Sequence, residues 1–442
     1  MRHLTIKTGL AGLCLLTMAA CAEREVILPG ERLGIRAGLL GEAPEADPVN
    51  QARAAALPAM RSNADWPQSA VSPATRTDHA AYSGAFSPLW SVNIGQGDKK
   101  RVRLNVDPIV AGGRIFTMDS AHTVTAVSTA GQVLWTRDLT PLRDDNSQAQ
   151  GGGLAAGGGR IYAASGFGTV TALDPATGAE FWTQEVDNTA TGAPTYLDGL
   201  VYVTSGDSVG WAIEADTGRV RWQIDGVSDI NNVAGAPAPA VNDDRVIFSF
   251  GGGTLQSAFR KGGLRLWNAD VAGTRNGFSI GKIDDITGDP LISGNTLYVG
   301  NHSGRVVAFD VNSGDRLWTA RDGALNPIWP AGDSVYFVSD RNQLIRLDAT
   351  DGSQVWAVDL PGYEPTRNPQ RRRDSFYAMH GPILAGGRLI VAGSDGALRA
   401  FDPADGRLVG TAPLANGATT RPVVAGGVLY VVNTRGELLA FR

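Results

Sequence analysis

The pattern Gly-x-x-x-Trp recurs six times in this 442-residue chain, at Gly131/Trp135, Gly178/Trp182, Gly218/Trp222, Gly263/Trp267, Gly314/Trp318 and Gly352/Trp356. A seventh copy begins at Gly406 and carries Gly410 at the Trp position, and Trp90 stands one period upstream of the first. From Trp90 to Trp356 the spacings are 45, 47, 40, 45, 51 and 38 residues, with 54 more to Gly410. A second apolar run precedes each copy, such as Arg160-Ile-Tyr-Ala163 or Leu297-Tyr-Val-Gly300. Four short strands in every period of about 40–50 residues form a small sheet with two apolar faces, which only stacked neighbours can bury. The predicted fold is all-β: an eight-bladed β-propeller of four-stranded antiparallel blades.

Each recurring element of the pattern has a physical task. Gly ahead of the last strand supplies the positive φ of a tight hairpin. Trp90, Trp135, Trp182, Trp222, Trp267, Trp318 and Trp356 are predicted wedges between adjacent sheets. Burying about 150–250 Å² of indole at roughly 25 cal/mol per Å² is worth a few kcal/mol.

The two ends of the repeat are complementary. Phe86–Ile94 reads as a last strand without its first three, and Arg421–Arg442 as three strands without a fourth. Joined, they complete one blade and remove two open sheet edges. The propeller is thus expected over 86–442, with the N-terminal strand joining the C-terminal blade. Connections between blades emerge on one face. Those after Trp267 (to about Asp289) and Trp356 (to about Gly381) are long, and Gln223–Ala236 is intermediate, so this face is the expected working surface.

With 43% hydrophobic and 19% charged residues the composition is globular, and a net charge of −5 gives no basic footprint for nucleic acid. Arg2 and Lys7 precede an apolar run, Gly9–Ala20, too short to span a bilayer. That run ends at Met18-Ala-Ala-Cys21, which resembles a bacterial lipobox. Residues 1–20 are therefore expected to be a lipoprotein signal peptide and Cys21 the lipidated first residue; cleavage after Ala20 without lipid is the alternative. Two or more acyl chains on Cys21 make a stable anchor. Ala22 follows the Cys; in the lipoproteins this segment resembles, that favours the outer membrane. The only other cysteine, Cys14, leaves with the leader, so no disulfide is expected. Residues 21–85, rich in Pro, Ala and Glu, read as the lipidated Cys plus an extended tether, with a short helix around Gln51–Met60 and Trp66-Pro67 docked on the propeller.

Other motifs have bland readings. Gly277-Phe-Ser-Ile-Gly281 lacks the following helix of a nucleophile elbow. Asp310-Val-Asn-Ser-Gly314 begins like a calcium loop, but its twelfth position is Arg321. The glycine triplets at 151–153 and 157–159 lack the Lys-Ser/Thr of a phosphate loop. The five histidines show no ligand spacing, so no metal is expected. Arg371-Arg-Arg373, near Phe376 and Tyr377, is either a solvated run or a contact for a partner or lipid headgroup.

The endings Leu173-Asp-Pro-Ala-Thr-Gly-Ala-Glu-Phe-Trp182 and Phe309-Asp-Val-Asn-Ser-Gly-Asp-Arg-Leu-Trp318 resemble the pyrroloquinoline-quinone (PQQ) type repeat. With the lipobox, the whole resembles the propeller lipoproteins of the outer-membrane β-barrel assembly machinery. The resemblance implies a scaffold without catalytic residues or cofactor, anchored to the outer membrane on its periplasmic face and assisting the insertion of barrel proteins. It implies binding to the POTRA domains of BamA, the barrel subunit, through an acidic stretch and an apolar stretch. The acidic one matches Lys282–Pro290, with Asp284, Asp285 and Asp289, although Thr287 stands where a second Asp is expected. The apolar one falls at Ile230 and Val233, without the expected Arg. Other lipoproteins of the machinery and unfolded outer-membrane proteins are further candidate partners. Two alternatives share the repeat: a periplasmic binding propeller outside this machinery, and a dehydrogenase holding PQQ and calcium. Such dehydrogenases commonly carry adjacent cysteines, which the mature chain lacks.

Overall fold

The structure, a computed structural model, describes residues 48–99, 102–229, 236–271, 273, 285–302, 304–367 and 375–442. Asp47–Tyr363 with Phe376–Arg442 forms one compact unit, to which the account below is confined. Eight four-stranded antiparallel sheets follow one another. Blades 1 to 7 occupy residues 109–138, 152–185, 195–225, 240–270, 291–320, 329–359 and 379–413. Blade 8 takes three strands from 423–441, and its outer strand is Pro88–Asn93. There Trp90 lies opposite Ala440 and Asn93 opposite Glu437, so the N-terminal strand closes the ring. Among the described residues the only helical element is a single 3-10 turn, Gly251–Gly253.

Strand composition follows position in the blade. Middle strands such as Leu200–Ser205 and Val209–Glu214 are buried almost throughout, because neighbouring blades cover both their faces. Outer strands such as Glu180–Glu185 alternate exposed and half-buried residues. In seven blades the outer hairpin slips by one residue beside the signature position, for example between Ala172 and Leu173 opposite Trp182. Such a bulge re-aims the side chain next to it. The residue opposite the Trp is Ala or Ser in five of these blades, at Ala126, Ala172, Ala212, Ser257 and Ala308, which leaves room for the indole.

Each indole reaches the next blade's hairpin glycine. A Cβ at Gly131, Gly178, Gly218, Gly263, Gly314, Gly352 or Gly406 would lie 2.5–2.8 Å from the ring of Trp90, Trp135, Trp182, Trp222, Trp267, Trp318 or Trp356 respectively. Each indole N–H also donates across the interface to a hairpin carbonyl, from Trp90 to Thr129 (3.1 Å) round to Trp356 to Pro403 (3.2 Å). At the eighth interface Gly410 replaces Trp. The buried Phe86, just ahead of the closing strand, comes within 3.8 Å of where a Cβ on Gly410 would be.

The tether reading needs correction over residues 48–85. No helix forms at 51–60, and the chain runs extended across the face that carries the first hairpin turn of each blade. The Gly426 amide donates to Asn63 (blade 8), Trp66 and Val110 bond both ways (blade 1), and Ala156 donates to Pro67 (blade 2). Gln68 then holds both backbone groups of Tyr196 (blade 3), Ile292 donates to Val71 (blade 5), and the Trp329 indole donates to Asp78 (blade 6). Ala80 pairs with Leu384 and Gly386 (blade 7) before Ser87 and Arg442 bond both ways in blade 8. The segment thus makes a circuit of the channel mouth. Extended backbone suits it because each hairpin turn leaves free N–H and C=O groups that must find partners. Trp66 stacks on Trp329 at 6.0 Å and is 8% exposed, so the Trp66-Pro67 docking expected from sequence is present.

Candidate functional site

The inner strands surround a chamber of about 290 Å³ whose floor is the circuit itself, through Trp66, Gln68, Ser69 and Ala70. At its centre Arg421 bridges two carboxylates. Its backbone amide donates to Asp107 (2.7 Å), its Nε also binds Asp107, and its Nη1 donates to Asp289 (3.0 Å). Asp289 further accepts from the Ser69 hydroxyl (2.6 Å) and the Ala238 amide (2.9 Å), which ties the floor to the wall.

The electrostatics follow from desolvation. Burial pushes the Asp107 carboxyl above its ordinary value, and the adjacent Arg421 charge only partly restores it. Burial also works against the Arg421 charge, but Asp107 and Asp289 outweigh it and hold the guanidinium above its ordinary value. His380, on the same wall, is held down to about 4 by burial first and by the Arg421 charge second. It is therefore neutral at pH 7. With every oxygen of the Arg421 cluster engaged, the chamber is a braced core of the ring.

These residues share a signal. Asp107, Asp289 and Arg421 each stand immediately before the proline that opens an inner strand, at Pro108, Pro290 and Pro422. A residue before proline is extended. A polar one at that point in the repeat marks the channel wall.

The opposite end of the channel lies toward the face of the inter-blade connections. A depression of about 470 Å³ there shares Thr191, Ala236 and Pro237 with the chamber and adds Gln148, Gln150, Asn188, Asp207 and Asp285. Asp285 is 7% exposed, and its carbonyl accepts from the His302 amide at 2.9 Å. Asp289 is turned into the chamber instead of this face. Asp284, Ile230, Val233 and Cys21 lie outside the described residues, as do Gly277–Gly281 and Arg371–Arg373. The Asp310 turn is a blade hairpin whose carboxylate accepts the amides of Asn312 (2.8 Å) and Ser313 (3.0 Å). Among the described residues no cluster of three His, Cys, Asp or Glu could hold a metal ion.

A closed ring of eight PQQ-type repeat blades, with a circuit of chain laid across one face, defines the class. The family described as outer membrane protein assembly factor BamB matches residues 120–358 and 366–442, and the chain belongs to it. That family is one of assembly factors, not enzymes. The curated BamB of Yersinia pestis is 24% identical over 365 residues, covering 80% of this chain and 89% of its own. The crystal structure of BamB from Moraxella catarrhalis superposes with a TM-score of 0.67 at 17% identity, over 80% of this chain and 99% of that one. Quinohemoprotein alcohol dehydrogenase from Comamonas testosteroni shares the fold at a TM-score of 0.65 and 16% identity, over 86% of this chain and 80% of that one.

Proposed function

We propose that this chain is a lipid-anchored scaffold of the outer-membrane β-barrel assembly machinery. In this reading Cys21 carries the anchor, residues 1–20 are its signal peptide, and the propeller stands on the periplasmic side. It grips the POTRA domains of the BamA-like barrel subunit and so assists the insertion of outer-membrane barrels. The observation that carries the proposal is the family match, which spans most of the ring on a fold that is complete and closed. The connection face is the docking side, since the circuit occupies the other.

Asp284 on the 271–290 connection accepts charge-assisted bonds from a basic partner loop, Asp285 joining it only by turning out of its buried position, with Ile230 and Val233 on the 226–239 connection as the apolar contact. Asp289 serves that connection as its inner anchor through Arg421. Copurification of the barrel subunit with Asp285→Arg tests the contact, with melting temperature as the control for folding. Loss of the subunit from a folded variant supports it, and wild-type recovery removes these carboxylates from the interface. Cys21→Ala should release the protein from the membrane fraction.

A further inference from the structure

The first residues of the circuit are held differently from the rest. Arg346, fully buried in blade 6, donates to the carbonyls of Arg53 (2.5 Å) and Ala54 (3.2 Å). The same guanidinium holds Pro403 and Ala404 of blade 7 and the Ser334 hydroxyl. The Arg53 amide donates to Ala404 (3.2 Å) and its side chain pairs with Asp348 (2.7 Å). One turn of chain earlier, Asn50 and the Ala357 backbone bond both ways (2.8 and 2.9 Å), and Gln51 donates to Val355 (2.9 Å). Residues 50–54 are therefore fastened to two blades at once.

The strand that closes the ring has a different mechanical character. Pro88–Asn93 pairs on one side only, and the Ser87–Arg442 bonds stand at its leading end. A pull arriving directly at Phe86 would load these bonds one after another. A pull arriving before residue 48 meets the Asn50–Ala357 and Gln51–Val355 bonds first and then the Arg346 clamp, where bonds to one buried guanidinium must be lost together.

We infer that residues 50–54 and the circuit behind them are a load path, which takes force applied through the N-terminal chain before it reaches the ring closure.

Single-molecule pulling on the full chain tests it. One azide handle is placed at exposed Val49 or exposed Ala85, by Val49→p-azidophenylalanine or Ala85→p-azidophenylalanine, and the other at exposed Thr217. Forced opening reads the unfolding barrier of whatever yields first. From Val49 the clamp and then the circuit should give way before the ring opens, releasing about 120 Å of extended chain in all, at 3.3–3.6 Å per residue. From Ala85 that step should be absent and the ring should open at lower force. Asn50→Gly, at an exposed position, should lower only the first force from Val49. Equal first forces from both handles, or ring opening from Val49 without the preceding step, would overturn the inference.

Discussion

Replacing Gly218 by Ala probes one inter-blade contact from both of its sides. Gly218 has φ +72°, and a Cβ there would sit 2.7 Å from the Trp182 ring of the preceding blade. Left-handed backbone costs an L-residue about 1–2 kcal/mol, and forcing a methyl into a filled site adds about 1–3 kcal/mol. Gly218→Ala should therefore cost about 2–5 kcal/mol. Trp182→Ala removes the ring, its tilted contact with Tyr162 and its bond to the Ala215 carbonyl at 3.0 Å, and should cost about 3–5 kcal/mol. In the double variant the clash has no ring to meet, so only the backbone strain persists. The pair should then be less destabilised than the sum of the singles by about 1–3 kcal/mol. Urea unfolding midpoints at constant slope measure this. Additivity within about 0.5 kcal/mol would refute the contact as the reason glycine is required.

Arg421→Met should destabilise by about 3–5 kcal/mol, because it strands Asp107 and Asp289 without their cation, and a thermal melt reads it. His380 makes stability depend on acid. Above its ordinary value near 6.5 both folded and unfolded states are neutral, whereas between about 6.5 and 4 the unfolded chain takes up a proton that the folded one refuses. Stability should fall by about 1–3 kcal/mol across that window, and His380→Gln should flatten the pH dependence of the melting temperature. Deleting Glu437–Phe441 strips the closing strand of its partner, so the variant should unfold or aggregate in gel filtration.

The ring was legible because its signals repeat. Gly218 and Trp182 each belong to a seven-fold set, and the incomplete ends at Phe86 and Arg421 implied closure. The circuit was not legible, since nothing in 48–85 is periodic and its bonds run mostly from backbone to backbone. Ala-rich sequence at 51–60 favours a helix locally, but the carbonyls of Arg53 and Ala54 go to Arg346, nearly 300 residues away. Tertiary partners of that kind override local propensity. The Arg421 cluster was hidden for a related reason: Asp107, Asp289 and Arg421 are far apart in sequence, and only the ring brings them together. Asp289 shows the cost, for a carboxylate read as a partner contact spends its oxygens on Arg421, Ser69 and Ala238.

The most direct test of the scaffold reading is photocrosslinking from exposed Val227, on the 226–239 connection, in native outer membranes, with the crosslinked species identified by mass spectrometry. The account predicts adducts with the periplasmic domains of the barrel subunit, and their loss when the probe is moved to the occupied face at Asn63. Equal adducts from both positions, or none with the barrel subunit from 227, would contradict it.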